Sequence, residues 1–350
     1  MRQQLTIIPI ASGKGGVGKS LLSANLAIAL AKMGHATIVA DLDLGSPDLH
    51  SFLGSAEACG GIAEFIHTRG AKLSDYLQTT PWKNLKLLSG DSQRPFAANL
   101  AYQQKLKLIR QLSQLPARYL ILDLGAGNSY NIVDFFRTTT HGLLVTTPEP
   151  TATRNISAFL NQLAHRSLDH ALRSQPASRR LLRELQATGQ DQGQPLTMGR
   201  ICRQLADMEP QAAGIVGQAC MRYQPRLILN MGSHPDDLDA LDNTAQLAAE
   251  RCSLHCEPYG FIFDDSTVRE SIRAGIPLLE YAEDATATQC IVQLAQHIVH
   301  LWDKTLEEPS LTLRNHTRKF YEYLQRDAHQ SHARFIPGTL RHFFPGLFNY

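Results

Sequence analysis

Two lysines and a serine stand among closely spaced glycines in Ser12-Gly13-Lys14-Gly15-Gly16-Val17-Gly18-Lys19-Ser20. The subset Gly13-x4-Gly18-Lys19-Ser20 has the spacing of a P-loop. Gly13, Gly15, Gly16 and Gly18 let the backbone curl so that successive N–H groups point into one concavity. A helix that starts there adds partial positive charge to the same concavity. Lys19 can then reach the β- and γ-phosphates of a nucleotide, and the Ser20 hydroxyl can ligate Mg²⁺. The motif needs a strand before it and a helix after it. The apolar run Leu5 to Ile10 reads as a buried strand, and Leu21 to Met33 reads as a helix that stops at Gly34. A glycine turn with no ligand is the bland alternative, and this flanking context weighs against it.

Two further places carry carboxylates at strand ends. Ala36 to Ala40 is a short apolar run followed by Asp41-Leu42-Asp43-Leu44-Gly45-Ser46-Pro47-Asp48-Leu49. Open α/β sheets bind ligands at the carboxyl ends of their strands, which is where Asp41 and Asp43 fall. Tyr119-Leu120-Ile121-Leu122-Asp123 is an apolar strand ending in Asp, the Walker B arrangement. Its carboxylate can hold a metal-bound water or the Ser20 hydroxyl. Gly125 and Gly127 follow, in a loop able to move. Leu85 to Leu88 and Gly142 to Thr147 read as further strands, and Arg226 to Asn230 as another that ends in an amide. Tyr102 to Leu115 has helical spacing, with Leu106, Ile109, Leu112 and Leu115 as its expected core positions.

Lys-Gly-Gly-Val-Gly-Lys-Ser resembles the deviant P-loop of the MinD/ParA superfamily of ATPases, and the downstream motifs resemble the MinD- and FlhG-like members. The resemblance covers roughly residues 5–165 and 226–303. It implies an α/β, doubly wound, mostly parallel sheet. ATP and Mg²⁺ are the implied cofactors, with Gly13, Gly15, Gly16, Val17, Gly18, Lys19, Ser20 and Leu21 around the nucleotide and Asn230 on the adenine. Ser20, Asp43 and Asp123 are the implied magnesium side. Lys14 would reach across a homodimer interface to the partner's ATP, and Asp43 would orient the attacking water beside Lys19. Asp48 stands where relatives carry asparagine, and Phe263 where they carry proline in Gly-x-Ile-Pro-x-Asp. The resemblance implies an ATP hydrolase acting as a nucleotide-dependent spatial switch. Two alternatives are an iron–sulfur carrier similar to the Mrp proteins and a DNA-associated partitioning ATPase.

The formal net charge is +2, so no global attraction to nucleic acid is implied and DNA is not an expected partner. The N-terminus runs straight into the first strand, so no signal peptide is expected, and the cysteines are expected to be reduced in a cytoplasm. The nearest cysteine pair, Cys252-x3-Cys256, lacks the Cys-x-x-Cys spacing of a cluster site. No run of about 18 apolar residues exists to span a membrane.

Residues 1–305 are expected to form the ATPase domain, interrupted by a helical insertion over about 165–225. That stretch holds eight arginines against five acidic residues. It reads as a solvated face in preference to a partner or membrane surface. Residues 306–350 form a C-terminal extension. From Pro309 on it holds 8 of the chain's 25 aromatic residues, a density too high for an ordinary solvated tail. Leu340 to Phe348 suits a membrane interface in composition, yet Pro345-Gly346 breaks a long helix. A tail packed on the domain or on a protein partner is therefore preferred to peripheral attachment at the inner membrane.

Overall fold

In the computed structural model, residues 4–55, 60–90, 100–191, 197–208, 210–304 and 307–329 are described. Eight strands form one sheet: β1 (Thr6–Ser12), β2 (Thr37–Leu42), β3 (Gln78–Thr79), β4 (Leu85–Leu88), β5 (Tyr119–Ala126), β6 (Leu143–Thr146), β7 (Arg226–Gly232) and β8 (Glu257–Phe263). Their spatial order is β3-β4-β2-β5-β1-β6-β7-β8. Only β3 runs antiparallel to its neighbour. A sheet covered on both faces demands strands that are apolar on both sides. β2, β6 and β8 are accordingly buried along their whole length, as is all of β5 except Ala126. The chain runs from β1 outward to β4, returns to β5, then builds β6, β7 and β8 on the other side. β1 thus sits beside the point where the order reverses, and its carboxyl end is where such a sheet binds a ligand.

The helix α1 (Lys19–Lys32) follows β1 directly and is buried at 12 of its 14 positions. A helix that is apolar nearly all round belongs inside a protein. It ends on Gly34 at φ +89, which takes the left-handed turn that closes a helix. Asn25 within α1 accepts the backbone N–H of Leu279 at 3.0 Å, which ties the helix to the distant short helix Leu278–Tyr281.

The helix Tyr102–Leu112 corrects one expectation. Leu106 is 38% exposed, whereas Lys105 and Leu108 face inward. Lys105 is buried because it meets Asp134, on the helix Tyr130–Phe136 that follows the β5 loop. Asp134 also receives both Nε and Nη2 of Arg166, each at 2.8 Å, and Arg137 at 3.5 Å. Arg166 lies on the long helix Pro150–Ala171.

Three helices, Pro176–Asp191, Met198–Met208 and Pro210–Met221, fill the chain before β7. Leu182, Met198, Ile201, Leu205 and Val216 join the main core. Arg179 reaches back to Asp169 at 2.6 Å, while Arg180 is 83% exposed. The helix Pro309–His329 packs against β8 through Leu313, Thr317 and Phe320. Residues 340–348 lie outside the described residues. Among the described residues no helix is long and apolar enough to cross a membrane.

Candidate functional site

The loop between β1 and α1 has two residues with positive φ, Gly16 at +79 and Gly18 at +81. Only glycine takes that conformation without strain. Gly13 is constrained differently. A Cβ placed on it would stand 2.3 Å from the Asn155 carbonyl carbon and 2.5 Å from the Asn155 oxygen. The loop therefore rests directly on the backbone of the helix Pro150–Ala171. Gly15 meets nothing within 4 Å.

Lys19 Nζ is 2.9 Å from Asp123 Oδ1, and both side chains are buried. Ser23 Oγ lies 2.9 Å from the same oxygen. Asp123 Oδ2 is buried and has no hydrogen-bond partner among the described residues. Asp41 is the register partner of Asp123 on the adjacent strand β2. Its Oδ1 accepts the Asp43 N–H at 3.1 Å and its Oδ2 the Leu49 N–H at 3.0 Å. Asp41 thus pins both ends of the loop that carries Asp43. Burial, and then the charge of Asp123, push its carboxyl up to about 8. Asp48 is raised by the same two causes, with Lys19 opposing.

The carboxylate of Asp43 faces Gly125, where a Cβ would lie 3.3 Å from its Cγ. Gly127, at φ +96, donates its N–H to the Ser12 carbonyl at 3.0 Å, which tethers the β5 loop to the end of β1. Lys14 is half-buried, with Nζ 3.4 Å from Thr151 Oγ1 of its own chain. Asn230 Nδ2 donates to the Val17 carbonyl at 2.8 Å.

A cavity of about 520 Å³ joins these parts. Lys14, Gly15, Gly16, Val17, Gly18, Lys19, Ser20, Leu21, Asp43 and Asn230 all line it. Gly13 and Asp123 do not: Gly13 lies against the helix behind the loop, and Asp123 is wholly buried behind Lys19. Met231, Phe263, Asp264, Val268, Arg269 and Ile272 line it as well. That size suits a small organic ligand with an anionic end.

The donor set fits a magnesium nucleotide. The Ser20 hydroxyl and the Asp43 and Asp123 carboxylates are hard oxygen ligands, and the orphaned Asp123 Oδ2 wants a donor or a cation. Among the described residues, no group of three or more His, Cys, Asp or Glu could hold a metal alone. Mg²⁺ sites commonly need only one or two carboxylates, with phosphates and waters supplying the rest.

Sequence spacing gave partial notice of what it missed. Ser23 lies one helical turn beyond Lys19, on the same face of α1. The pinning role of Asp41 needs the strand register, which spacing alone does not supply.

Comparison with known proteins agrees with this fold. Residues 4–168 match the ParA family profile, described as NUBPL iron-transfer P-loop NTPase. Over 150 residues this chain is 31% identical to a protein assigned as septum site-determining protein MinD in Tupiella akineta, covering 43% of this chain and 49% of that one. Over 168 residues it is 31% identical to the antiactivator FleN of Pseudomonas aeruginosa, covering 47% and 58%. The chain spans about half the length of the curated relatives it matches. The solved structure of MinD with Mg-ADP from Pyrococcus horikoshii superposes with a TM-score of 0.56 at 20% identity, over 85% of this chain and 98% of that one. At that identity the likeness speaks for the ParA-type fold.

Proposed function

We propose that the chain binds and hydrolyses Mg-ATP in the 520 Å³ cavity and pairs with a second copy when ATP is bound, as a nucleotide-dependent switch for spatial positioning or partner regulation. The observation that carries this reading is the Lys19–Asp123 pair, whose lysine lines a cavity that Lys14 and Asp43 also line.

When bound, Mg²⁺ would supply charge neutralisation on the phosphates. Lys19 and the loop N–H groups bind those phosphates, and Lys19 then exchanges Asp123 for them. Asp123 and the Ser20 hydroxyl hold the metal side. Asp43, fixed by Asp41 behind it and Gly125 before it, orients the attacking water in line with the γ-phosphorus. Lys14 leaves Thr151 and reaches the partner copy's phosphates, where it offsets the charge that develops in transfer. Gly125 and Gly127 let the β5 loop relax once the γ-phosphate has gone. Residues 1–305 make up this ATPase unit and residues 306–350 an appended extension. A cytoplasmic location is part of the same reading.

The iron-transfer wording of the family description finds no support in the described cysteines. Cys252, Cys256 and Cys290 are buried and unbridged. Burial pushes the Cys252 thiol up to about 11 and raises Cys256 as well, which disfavours the thiolates that a cluster requires.

The test is the solution mass of Asp43→Ala with Mg-ATP and with Mg-ADP, measured by light scattering. Doubling with ATP alone, together with loss of turnover in Lys14→Ala, is the expected result. A monomer with both nucleotides would overturn the dimer switch.

A further inference from the structure

Phe263 belongs to two spaces at once. It lines the large cavity. It also lines a gap of about 30 Å³, whose opposite wall is Leu313, Thr317 and Phe320 of the helix Pro309–His329. That helix braces the ring from behind. Tyr321 stacks on Phe263 with centroids 6.1 Å apart and planes at 17°, and Phe320 packs at 5.9 Å. Tyr321 also meets the His234 ring edge-on at 4.9 Å. His234 sits in the loop just after Asn230 and Met231, and Met231 takes φ +60, unusual for a residue with a side chain. One helix therefore supports both the end of β8 and the segment that follows Met231. It is clamped in place from outside by Arg314, at 2.7 Å from Asp239 and 2.6 Å from Asp242.

We propose that the helix Pro309–His329 is a positioning element of the nucleotide site, holding Phe263 through Tyr321 and Phe320 as the wall against which the base rests. This rests on reading the cavity as a nucleotide site. The phosphate end is built from other parts: α1 and β5 hold Lys19, Ser20 and Asp123, whereas the helix packs on β8 and the turn Pro235–Leu238. Base and phosphate contributions to affinity are therefore separable. Coupling between sites is reciprocal. Whatever factor the helix adds to base affinity, a bound base adds to the docking of the helix.

The experiment uses the full chain and two ligands, Mg-ADP and Mg-tripolyphosphate, titrated by calorimetry. Tyr321→Ala should weaken Mg-ADP about three- to tenfold, the range expected for one lost aromatic contact. It should leave Mg-tripolyphosphate unchanged, and Tyr321→Phe should restore wild-type affinity. Arg314→Ala loosens the helix without touching the aromatic cluster and should act in the same direction. Amide exchange across residues 309–329 should slow with Mg-ADP and not with Mg-tripolyphosphate. Equal weakening of both ligands would mean general damage and overturn the proposal, as would no weakening of Mg-ADP in either variant. A wild-type chain that binds neither ligand would remove the nucleotide reading itself, and the proposal with it.

Discussion

Gly13→Ala and Gly15→Ala differ by two positions in one loop, and the structure separates them sharply. An added Cβ at Gly13 would stand 2.3 Å, 2.5 Å and 2.6 Å from three backbone atoms of the Asn155–Ile156 peptide unit. Carbon atoms rest at about 3.5–4.0 Å, so more than about 1 Å must open between the loop and the helix Pro150–Ala171. The neighbours are main-chain atoms within a helix and cannot swing aside as a side-chain tip could. Overpacking of this kind costs about 1–3 kcal/mol, and contact with rigid backbone puts Gly13→Ala at the upper end. The entropy of unfolding scales with length, which for this chain gives roughly 1.4 °C of melting temperature per kcal/mol. A fall of about 4 °C is expected for nucleotide-free Gly13→Ala in a calorimetric melt. Gly15 has no neighbour within 4 Å and no positive φ, so Gly15→Ala should melt within about 1 °C of wild type. If the two variants melt together, the close approach of loop and helix is wrong, and so is the account of why position 13 is glycine.

Two further outcomes follow from buried charges. Asp41 has its folded pKa raised to about 8, well above its unfolded value near 4. Between those limits the folded state holds a proton that the unfolded state has lost, so stability falls as pH rises. Denaturant unfolding of the nucleotide-free protein from pH 5 to pH 8 should show this fall, at up to about 1.4 kcal/mol per unit from this group. Asp41→Asn should flatten it, and an unchanged slope would contradict the assignment. Asp134→Ala should cost about 3–5 kcal/mol, because it strands Lys105 and Arg137, both nearly buried. Asp169→Ala, at a half-exposed pair with Arg179, should cost about 1 kcal/mol or less. Equal costs in parallel melts would show that the Asp134 cluster is no more than a surface network.

The parts of the fold legible in the sequence are those whose cause is local. Leu5 to Ile10, Leu120 to Asp123 and the glycine loop are each explained by their own residues: apolar on both faces, acidic at the end, or free of Cβ. The helix Met198–Met208 is equally local in origin. The helix Pro210–Met221 went unread, because Gly214 and Gly217 dilute its pattern and its place is set by packing. Helical spacing puts Leu106 among the core positions, yet it is Lys105 that is buried. The order inverts because Asp134, 29 residues further on, supplies a buried partner that helical spacing cannot reveal. The same holds at the site. Lys19, Asp43 and Asn230 were legible as motif members. That Asn230 holds Val17 across 213 residues, and that Asp41 pins the Asp43 loop, depends on which strands become neighbours.

The closed pair between Lys19 and Asp123 also makes the loop a poor trap for simple anions. Inorganic phosphate arriving alone would have to take Lys19 away from a fully buried carboxylate and leave that charge with no counter-ion. The cost of doing so exceeds what one small anion returns. An anion that arrives chelated to a cation trades partners without stranding either charge. Phosphate, sulfate and carboxylates on their own are therefore weak competitors for Lys19.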